Sequence, residues 1–293
     1  MSRRYDSVLI LVGKMKIEKV INNNIISSFN ENGQEVVLMG RGLGFQAKAG
    51  QPIDMDKVEK IFCMETQKSS DQLKLILGEV PLEHAQISNE IVSYAKEKLT
   101  NPLNENIYIT LTDHISFAIS RMKHGTSYHN ALIWEIKKFY TTEYQIGMYG
   151  VNLIKERLGI ELNEDEAGSI ALHFVNAEFN TTMNKAVDIT KLIQSCLNIV
   201  KYHFKIDLDE QDLHVERFVT HLKYFAQRIF TDNMLPDEDD EFNMAIEKRY
   251  PEYYRCCELI RDLVKKEYDI EITKEEMMYI TVHIGRIMRN LKK

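Results

Sequence analysis

The chain has 293 residues, of which 44% are hydrophobic and 28% are charged, and its formal net charge is -7 at pH 7. These values exclude a largely disordered or fibrous chain and allow two or three folded domains. The four cysteines show no paired metal-ligand spacing, so we expect a reducing, cytoplasmic compartment. The longest apolar run near the start, residues 8–12, is too short for a signal-peptide core or a membrane span, so no membrane insertion is expected.

The first part of the chain predicts short strands. Runs of apolar and β-favouring residues cover residues 16–21, 25–29, 35–39 and 58–64. Between the second and third runs, Asn32-Gly33 favours a tight hairpin, because both residues accept positive φ. We therefore predict a small β module over 15–70, preceded by an N-terminal extension, 1–14. A module of this size buries little surface, so we expect it to form a homodimer.

A glycine-rich loop, residues 40–45, follows the third predicted strand and allows the backbone to approach another group closely. The module also offers side chains suited to RNA: a cation for phosphate, amides for base edges, a planar guanidinium and a ring for stacking. These side chains are Lys19, Asn22, Asn24, Arg41, Phe45 and Gln46. Residues 15–70 carry seven basic and seven acidic residues, so a nucleic-acid site here would be small and lack a broad basic footprint.

After residue 70, apolar residues recur at helical spacing, and we predict that the rest of the chain is all-helical. An internal repeat of about 110 residues lies within it. Residues 138–162 align without a gap on residues 248–272. Two tandem helical domains are predicted, 71–178 and 179–293, joined near residues 180–184.

Four of the nine histidines occupy matching positions in the two repeats. His114 matches His221, and His173 matches His283. Packing does not require imidazole, and this side chain titrates near neutral pH. The repetition therefore indicates a function for these two pairs.

Two further features recur with the histidines. Asn163-x-x-Glu166 and Thr273-x-x-Glu276 each predict a capping box at a helix start. Arg121 and Arg228 each lie seven residues after the first histidine of their repeat, about 10.5 Å along a helix axis. Contact within one helix is therefore not expected, and the partner of such a histidine should come from another helix or another subunit.

Several classes of site are not expected. The sequence has no His-Glu-x-x-His motif, no Gly-x-Ser-x-Gly elbow and no Gly-x4-Gly-Lys-Ser/Thr loop, so we predict no metal and no cofactor. The remaining role for paired imidazoles is that of phosphoryl acceptors, which indicates a regulated protein that other proteins modify, and not an enzyme.

The chain resembles the BglG/SacY family of transcriptional antiterminators over nearly its whole length. The motifs that carry this resemblance are NNNIIS, MGRGLGFQ, LTDHISFAI, EAGSIALHFVNAE, KYHFKI and RFVTHLKYFAQR. The family pattern begins at Met15, so residues 1–14 depart from it. The resemblance implies a multidomain fold: a small all-β dimeric RNA-binding module followed by two tandem all-α helical-bundle regulatory domains of the phosphotransferase system.

The resemblance also implies a function. Such proteins bind a hairpin in nascent leader mRNA of a sugar operon, here one for β-glucosides, and prevent an overlapping terminator hairpin from forming. By position, the RNA-contacting residues would be Lys19, Asn22, Asn24, Gly40, Arg41, Phe45 and Gln46. The phosphorylation sites would be His114, His173, His221 and His283. The sugar permease would inhibit through the first regulatory domain, and the phosphocarrier HPr would activate through the second.

Two other functions stay open from the sequence. A DNA-binding activator with the same regulatory domains would carry a helix-turn-helix before the repeats, where residues 15–70 predict strands. An enzyme acting on sugars would need paired carboxylates in a cleft, and the sequence does not place such a pair.

Overall fold

The computed structural model describes residues 15–126, 128–209, 212–238 and 240–291. The expected N-terminal extension, 1–14, lies outside the described residues. The fold class predicted from the sequence is confirmed: a small antiparallel sheet is followed by helices. Dimerisation stays a prediction.

The sheet contains four antiparallel strands in the order β1-β2-β3-β4. Their bounds are β1 Lys19–Val20, β2 Ile25–Phe29, β3 Glu35–Met39 and β4 Lys60–Phe62. The predicted ranges for β2 and β3 match, and β1 and β4 are shorter than the apolar runs around them. In the hairpin between β2 and β3, Gly33 supplies the positive φ of 72°. The Asn30 side chain accepts from the backbone N–H groups of Asn32 and Gln34, at 3.0 Å each, and closes the loop.

The alternation of apolar residues in β2 and β3 places them on two faces of the sheet. On one face, Ile26 and Leu38 pack in a small core with residues of the module itself. On the other face, Ile25 and Val37 join a larger core that contains Leu73 of the first helix. Both faces are therefore covered within one chain, so burial of the sheet does not by itself require a second copy.

Eleven α helices follow the sheet in the described part of the chain. Their bounds are α1 Gln67–Glu79, α2 Leu82–Lys98, α3 Ile107–Lys123, α4 Ile133–Phe139, α5 Thr141–Leu158, α6 Glu164–Phe179, α7 Met183–Phe204, α8 Leu213–Phe230, α9 Asp240–Arg249, α10 Pro251–Tyr268 and α11 Lys274–Leu291. None of these helices is both long and apolar enough to cross a membrane.

The chain divides into two compact units. Unit 1 contains residues 1–131 and 141–180, and unit 2 contains residues 132–140 and 181–293. Helix α4 belongs to unit 2 because it packs on α7. Its counterpart in the second repeat, α9, packs on α10 and α11. The two repeats therefore differ in where this helix packs. The domain ranges 71–178 and 179–293 stay a prediction.

The paired histidines lie on equivalent helices in the two repeats. In unit 1, α3 packs on α6 and brings His114 to His173. In unit 2, α8 packs on α11 and brings His221 to His283.

Candidate functional site

Two loops form one surface at the end of the sheet. The turn before β2 and the loop after β3 are joined by backbone hydrogen bonds: Gly40 N–H donates to the Asn24 carbonyl and Gly44 N–H to the Asn23 carbonyl, at 2.9 Å each. The Asn24 side chain also accepts from Gly42 N–H, at 2.9 Å. The structure therefore brings together the two segments that hold most of the predicted RNA-contacting residues.

Two of the three glycines of this loop are required by the packing of the chain on itself. A Cβ atom at Gly40 would lie 1.8 Å from the Lys57 carbonyl oxygen, and one at Gly44 would lie 2.1 Å from the Asn22 carbonyl oxygen. The predicted close backbone approach is thus confirmed, and the group approached is the module's own backbone.

The predicted RNA-contacting side chains differ in exposure. Lys19, Arg41, Phe45 and Gln46 are exposed, and Phe45 presents 60% of its surface. Asn22 and Asn24 are half-buried, and Gly40 is buried. An exposed ring beside an exposed guanidinium can stack on unpaired bases.

Two of these residues contact the following helices within unit 1. The Asn22 side chain donates to the Leu77 carbonyl at the end of α1, at 3.0 Å. Arg41 forms an exposed ion pair with Glu83 in α2, at 3.3 Å. The loop surface is therefore connected to the helices that lead to the first histidine pair.

The first histidine pair lies between α3 and α6. The ring centroids of His114 and His173 are 4.8 Å apart, and His173 is buried. His114 Nε2 lies 3.4 Å from a carboxylate oxygen of Glu166, which also pairs with Arg121. Burial raises the pKa of Glu166, but the contacts with His114 and Arg121 outweigh it and hold this pKa below its usual value.

The second pair is stacked more closely. The rings of His221 and His283 are 3.5 Å apart at an interplanar angle of 23°. His221 Nδ1 lies 2.8 Å from the Tyr279 hydroxyl. In the tautomer in which Nδ1–H donates to that oxygen, the lone pair of Nε2 is available to a phosphoryl group.

The recurrent arginine and glutamate pair with each other in both repeats. Arg228 binds both carboxylate oxygens of Glu276, at 2.6 and 2.7 Å, whereas Arg121 binds one oxygen of Glu166. Each arginine therefore binds a residue of another helix, and the prediction that a modified histidine finds its partner on another helix or another subunit stays a prediction.

The capping-box prediction is half right. Asn163 and Thr273 each accept from the backbone N–H three residues later, at 3.2 Å. The glutamate side chains do not return to the cap. Glu276 binds Arg228 and accepts from Leu235 N–H at 3.0 Å, and Glu166 binds Arg121. A buried charge-assisted pair with arginine is stronger than a hydrogen bond to an exposed N–H.

The environment keeps the buried imidazoles neutral at pH 7. Burial, with the neighbouring His114, lowers the pKa of His173 well below its usual value. Burial, with His221, Arg286 and Arg228, lowers the pKa of His283 to about 4. A neutral imidazole has the lone pair that a phosphoryl acceptor needs.

We expect unit 2 to lose stability as the pH falls from 6.5 towards 4. The unfolded chain protonates His283 near the ordinary value of 6.5 and the folded chain only near 4, so protons in this window favour unfolding. The full loss is on the order of 3 kcal/mol. The single tryptophan, Trp134, belongs to unit 2, so its fluorescence during urea unfolding reports the change.

His283→Gln should remove most of this pH dependence, whereas His203→Gln, on α7 of the same unit, should keep it. An unchanged pH slope in the His283 variant would contradict this explanation.

Sequence reasoning missed three residues near the second pair: Arg217, Tyr279 and Arg286. Their counterparts in the first repeat are Thr110, Ser169 and Asn176. The internal repeat identifies only residues that recur, and these three positions differ between the repeats. The sequence predicts Glu166 and Glu276 only as residues of helix caps.

Comparisons with known proteins agree with this architecture. Residues 15–71 match the CAT RNA binding domain, and residues 89–177 and 194–287 each match the PRD domain. The chain is 46% identical over 275 residues to "Transcription antiterminator LicT" of Bacillus subtilis (strain 168), covering 94% of this chain and 99% of that protein. It is 41% identical to "Beta-glucoside operon antiterminator" of Dickeya chrysanthemi, covering 95% of this chain and 99% of that protein.

A solved structure, "Crystal structure of GlcT CAT-PRDI", matches with a TM-score of 0.50 and 36% identity, covering 56% of this chain and 98% of that chain. With the sheet, the helices and the full-length similarity in agreement, the chain belongs to the BglG/SacY family of transcriptional antiterminators, regulators that join a CAT RNA-binding domain to PRD domains.

Proposed function

We propose that the chain binds a hairpin in nascent leader mRNA through the loop surface and thereby prevents an overlapping terminator hairpin from forming. The observation that carries this proposal is the surface built by the turn before β2 and the loop after β3. It presents exposed Phe45 and Arg41 on two segments that hydrogen bonds join. Proteins read RNA sequence mainly at unpaired bases in loops and bulges, which suit such a small site.

The regulated genes are proposed to be those for β-glucoside use, because one close relative is named a β-glucoside operon antiterminator. A DNA-binding role has no structural support in residues 15–66. This described segment holds the sheet and contains no helix-turn-helix.

We further propose that the four paired histidines accept phosphoryl groups from the phosphotransferase system. The sugar permease would inhibit through His114 and His173, and HPr would activate through His221 and His283. The paired geometry in both repeats and the lowered pKa of the buried rings support this role. Phosphorylation places on the order of -1.5 to -2 charges on a ring.

A physical route from the first pair to the RNA surface exists within unit 1. Helix α3, which carries His114, packs on α2 and α1. These two helices in turn hold Arg41 through Glu83 and Asn22 through the Leu77 carbonyl. A movement of α3 can therefore move α1 and α2, and these helices contact Asn22 and Arg41 of the loop surface.

The active form is proposed to be a homodimer, with two loop surfaces on one hairpin. This part of the proposal rests on the family likeness alone. Burial of the sheet does not require a second copy, because both faces of the sheet are covered within one chain. The negative charge of a phosphorylated histidine at the interface between two subunits can favour one arrangement of the dimer over another.

Phe45→Ala should weaken binding of an RNA hairpin with internal loops by about 1 to 3 kcal/mol, because a stacking ring is lost. Lys19→Ala should weaken binding to all RNA sequences alike, because a phosphate contact carries no sequence information. Electrophoretic mobility shift with the full chain measures both effects.

Phe29→Ala is the matched control. This ring is 48% exposed and lies at the opposite end of β2 from the loop surface, so its loss should leave RNA affinity unchanged. If Phe45→Ala binds the RNA hairpin with wild-type affinity, the loop surface is not the RNA-binding site.

A further inference from the structure

Unit 2 contains a cavity of about 310 Å³ beside the second histidine pair. It is lined by three histidines, two arginines and two apolar side chains, and the charged or titratable ones are His214, Arg217, His221, His283 and Arg286. No carboxylate is among these lining residues. At about 30 Å³ for each water molecule, the cavity has room for a phosphoryl group and several waters.

The cavity is built on a buried histidine. Only 8% of the His283 surface is exposed, although the ring lines the cavity. His221 stacks on it, and the Tyr279 hydroxyl fixes the orientation of His221 through Nδ1. The hydrogen bond at Nδ1 leaves Nε2 as the ring nitrogen that can carry a group.

The buried glutamate of α11 is bound by an arginine, as Glu166 is in the first repeat. Glu276 is fully buried, and Arg228 binds both of its oxygens. Arg217 and Arg286 are exposed residues at the cavity wall. Burial first and Arg286 second lower the pKa of His221, which is consistent with a positive field around this ring.

The first pair has a different environment. The positions equivalent to Arg217 and Arg286 hold Thr110 and Asn176, which are uncharged. His114 Nε2 faces a carboxylate oxygen of Glu166 at 3.4 Å. The second pair therefore offers an anion two cations that the first pair lacks.

We propose that the cavity of unit 2 is a phosphate-binding site in which Arg217 and Arg286 bind the phosphoryl group carried by His221 or His283, and that it binds inorganic phosphate when the histidines are unmodified. The biological ligand rests on the phosphorylation proposed above. Guanidinium groups suit this ligand because they donate paired hydrogen bonds to phosphate oxygens. The two repeats then differ: the second supplies two guanidinium groups to a phosphoryl anion, and the first has uncharged residues at the equivalent positions.

Titration of the full chain with inorganic phosphate tests this site. Calorimetry gives the affinity, and the ring-proton resonances of the histidines give the location. Wild-type protein should bind phosphate in a saturable way and shift the resonances of His221 and His283, with those of His114 and His173 unchanged. Arg217→Gln with Arg286→Gln should bind at least about 10-fold more weakly, because each lost charge-assisted hydrogen bond contributes about 1.5 to 3 kcal/mol.

Arg289→Gln is the control. This arginine is exposed on the same helix as Arg286 and does not line the cavity, so its loss should leave phosphate affinity unchanged. The single variants Arg217→Gln and Arg286→Gln give the same comparison if the double variant unfolds.

Equal phosphate affinity in wild type and in the arginine variants would overturn the site. Transfer of phosphate from HPr to His221 or His283 is measured separately by mass spectrometry under alkaline conditions. Loss of phosphate binding with HPr transfer intact refutes only this inference. Phosphate binding without HPr transfer refutes only the proposed phosphorylation.

Discussion

Replacing Glu276 by alanine is expected to lower the free energy of unfolding of unit 2 by about 3 kcal/mol or more. The carboxylate is fully buried, binds Arg228 at 2.6 and 2.7 Å and accepts from Leu235 N–H at 3.0 Å. The Arg228 side chain is only 18% exposed. Removal of the carboxylate leaves a mostly buried guanidinium and a backbone donor without their partner.

Glu271→Ala in the same unit is the matched control. Glu271 pairs with Lys265 at 3.1 Å, but its side chain is 73% exposed. Exposed pairs contribute about 0 to 1 kcal/mol. Urea unfolding followed by Trp134 fluorescence compares the two variants. Equal losses would show that the buried pair is not a structural element of the site.

The two double variants with aspartate at the histidine pairs are expected to behave in opposite ways. Aspartate at positions 114 and 173 adds two carboxylates beside buried Glu166, and Thr110 and Asn176 supply no positive charge to offset them. Like charges in a buried site repel strongly, so the packing of α3 on α6 should loosen.

Aspartate at positions 221 and 283 instead meets the arginines of the cavity in unit 2. His221→Asp with His283→Asp should therefore retain the folded unit and act as a substitute for phosphorylation. We expect it to favour a compact, RNA-competent dimer in sedimentation experiments. His114→Asp with His173→Asp should lower RNA competence through the contacts of α3 with α2 and α1. Equal thermal stability of the two double variants would contradict the electrostatic difference between the sites.

The strands were predictable because their signals are local. The alternating apolar residues of β2 and β3 and the Gly33 turn lie within fifteen consecutive residues, and the observed bounds match the predicted ones. The packing of α1 on the sheet was not predictable from such local signals. Helix α1 packs on β3 and places Leu73 in the same core as Val37, and the sequence offers no local pattern for that packing.

The candidate site also has a part that the sequence predicts and a part that only the fold brings together. The paired histidines were identified because they recur, and the structure brings each pair together. The partners of Glu166 and Glu276 lie 45 and 48 positions away in the sequence, so a capping box was the simpler interpretation of each glutamate. Arg217 and Arg286 belong to one repeat only and become visible only when α8 and α11 pack together.

We propose that the two histidine pairs send opposite signals to one RNA-binding surface. Transcription in vitro through a leader terminator that overlaps the RNA hairpin measures these signals, with wild type and the two double aspartate variants compared at equal concentration. We expect readthrough to rise with His221→Asp and His283→Asp, and to fall with His114→Asp and His173→Asp. Equal readthrough with both double variants would contradict opposite roles for the two pairs.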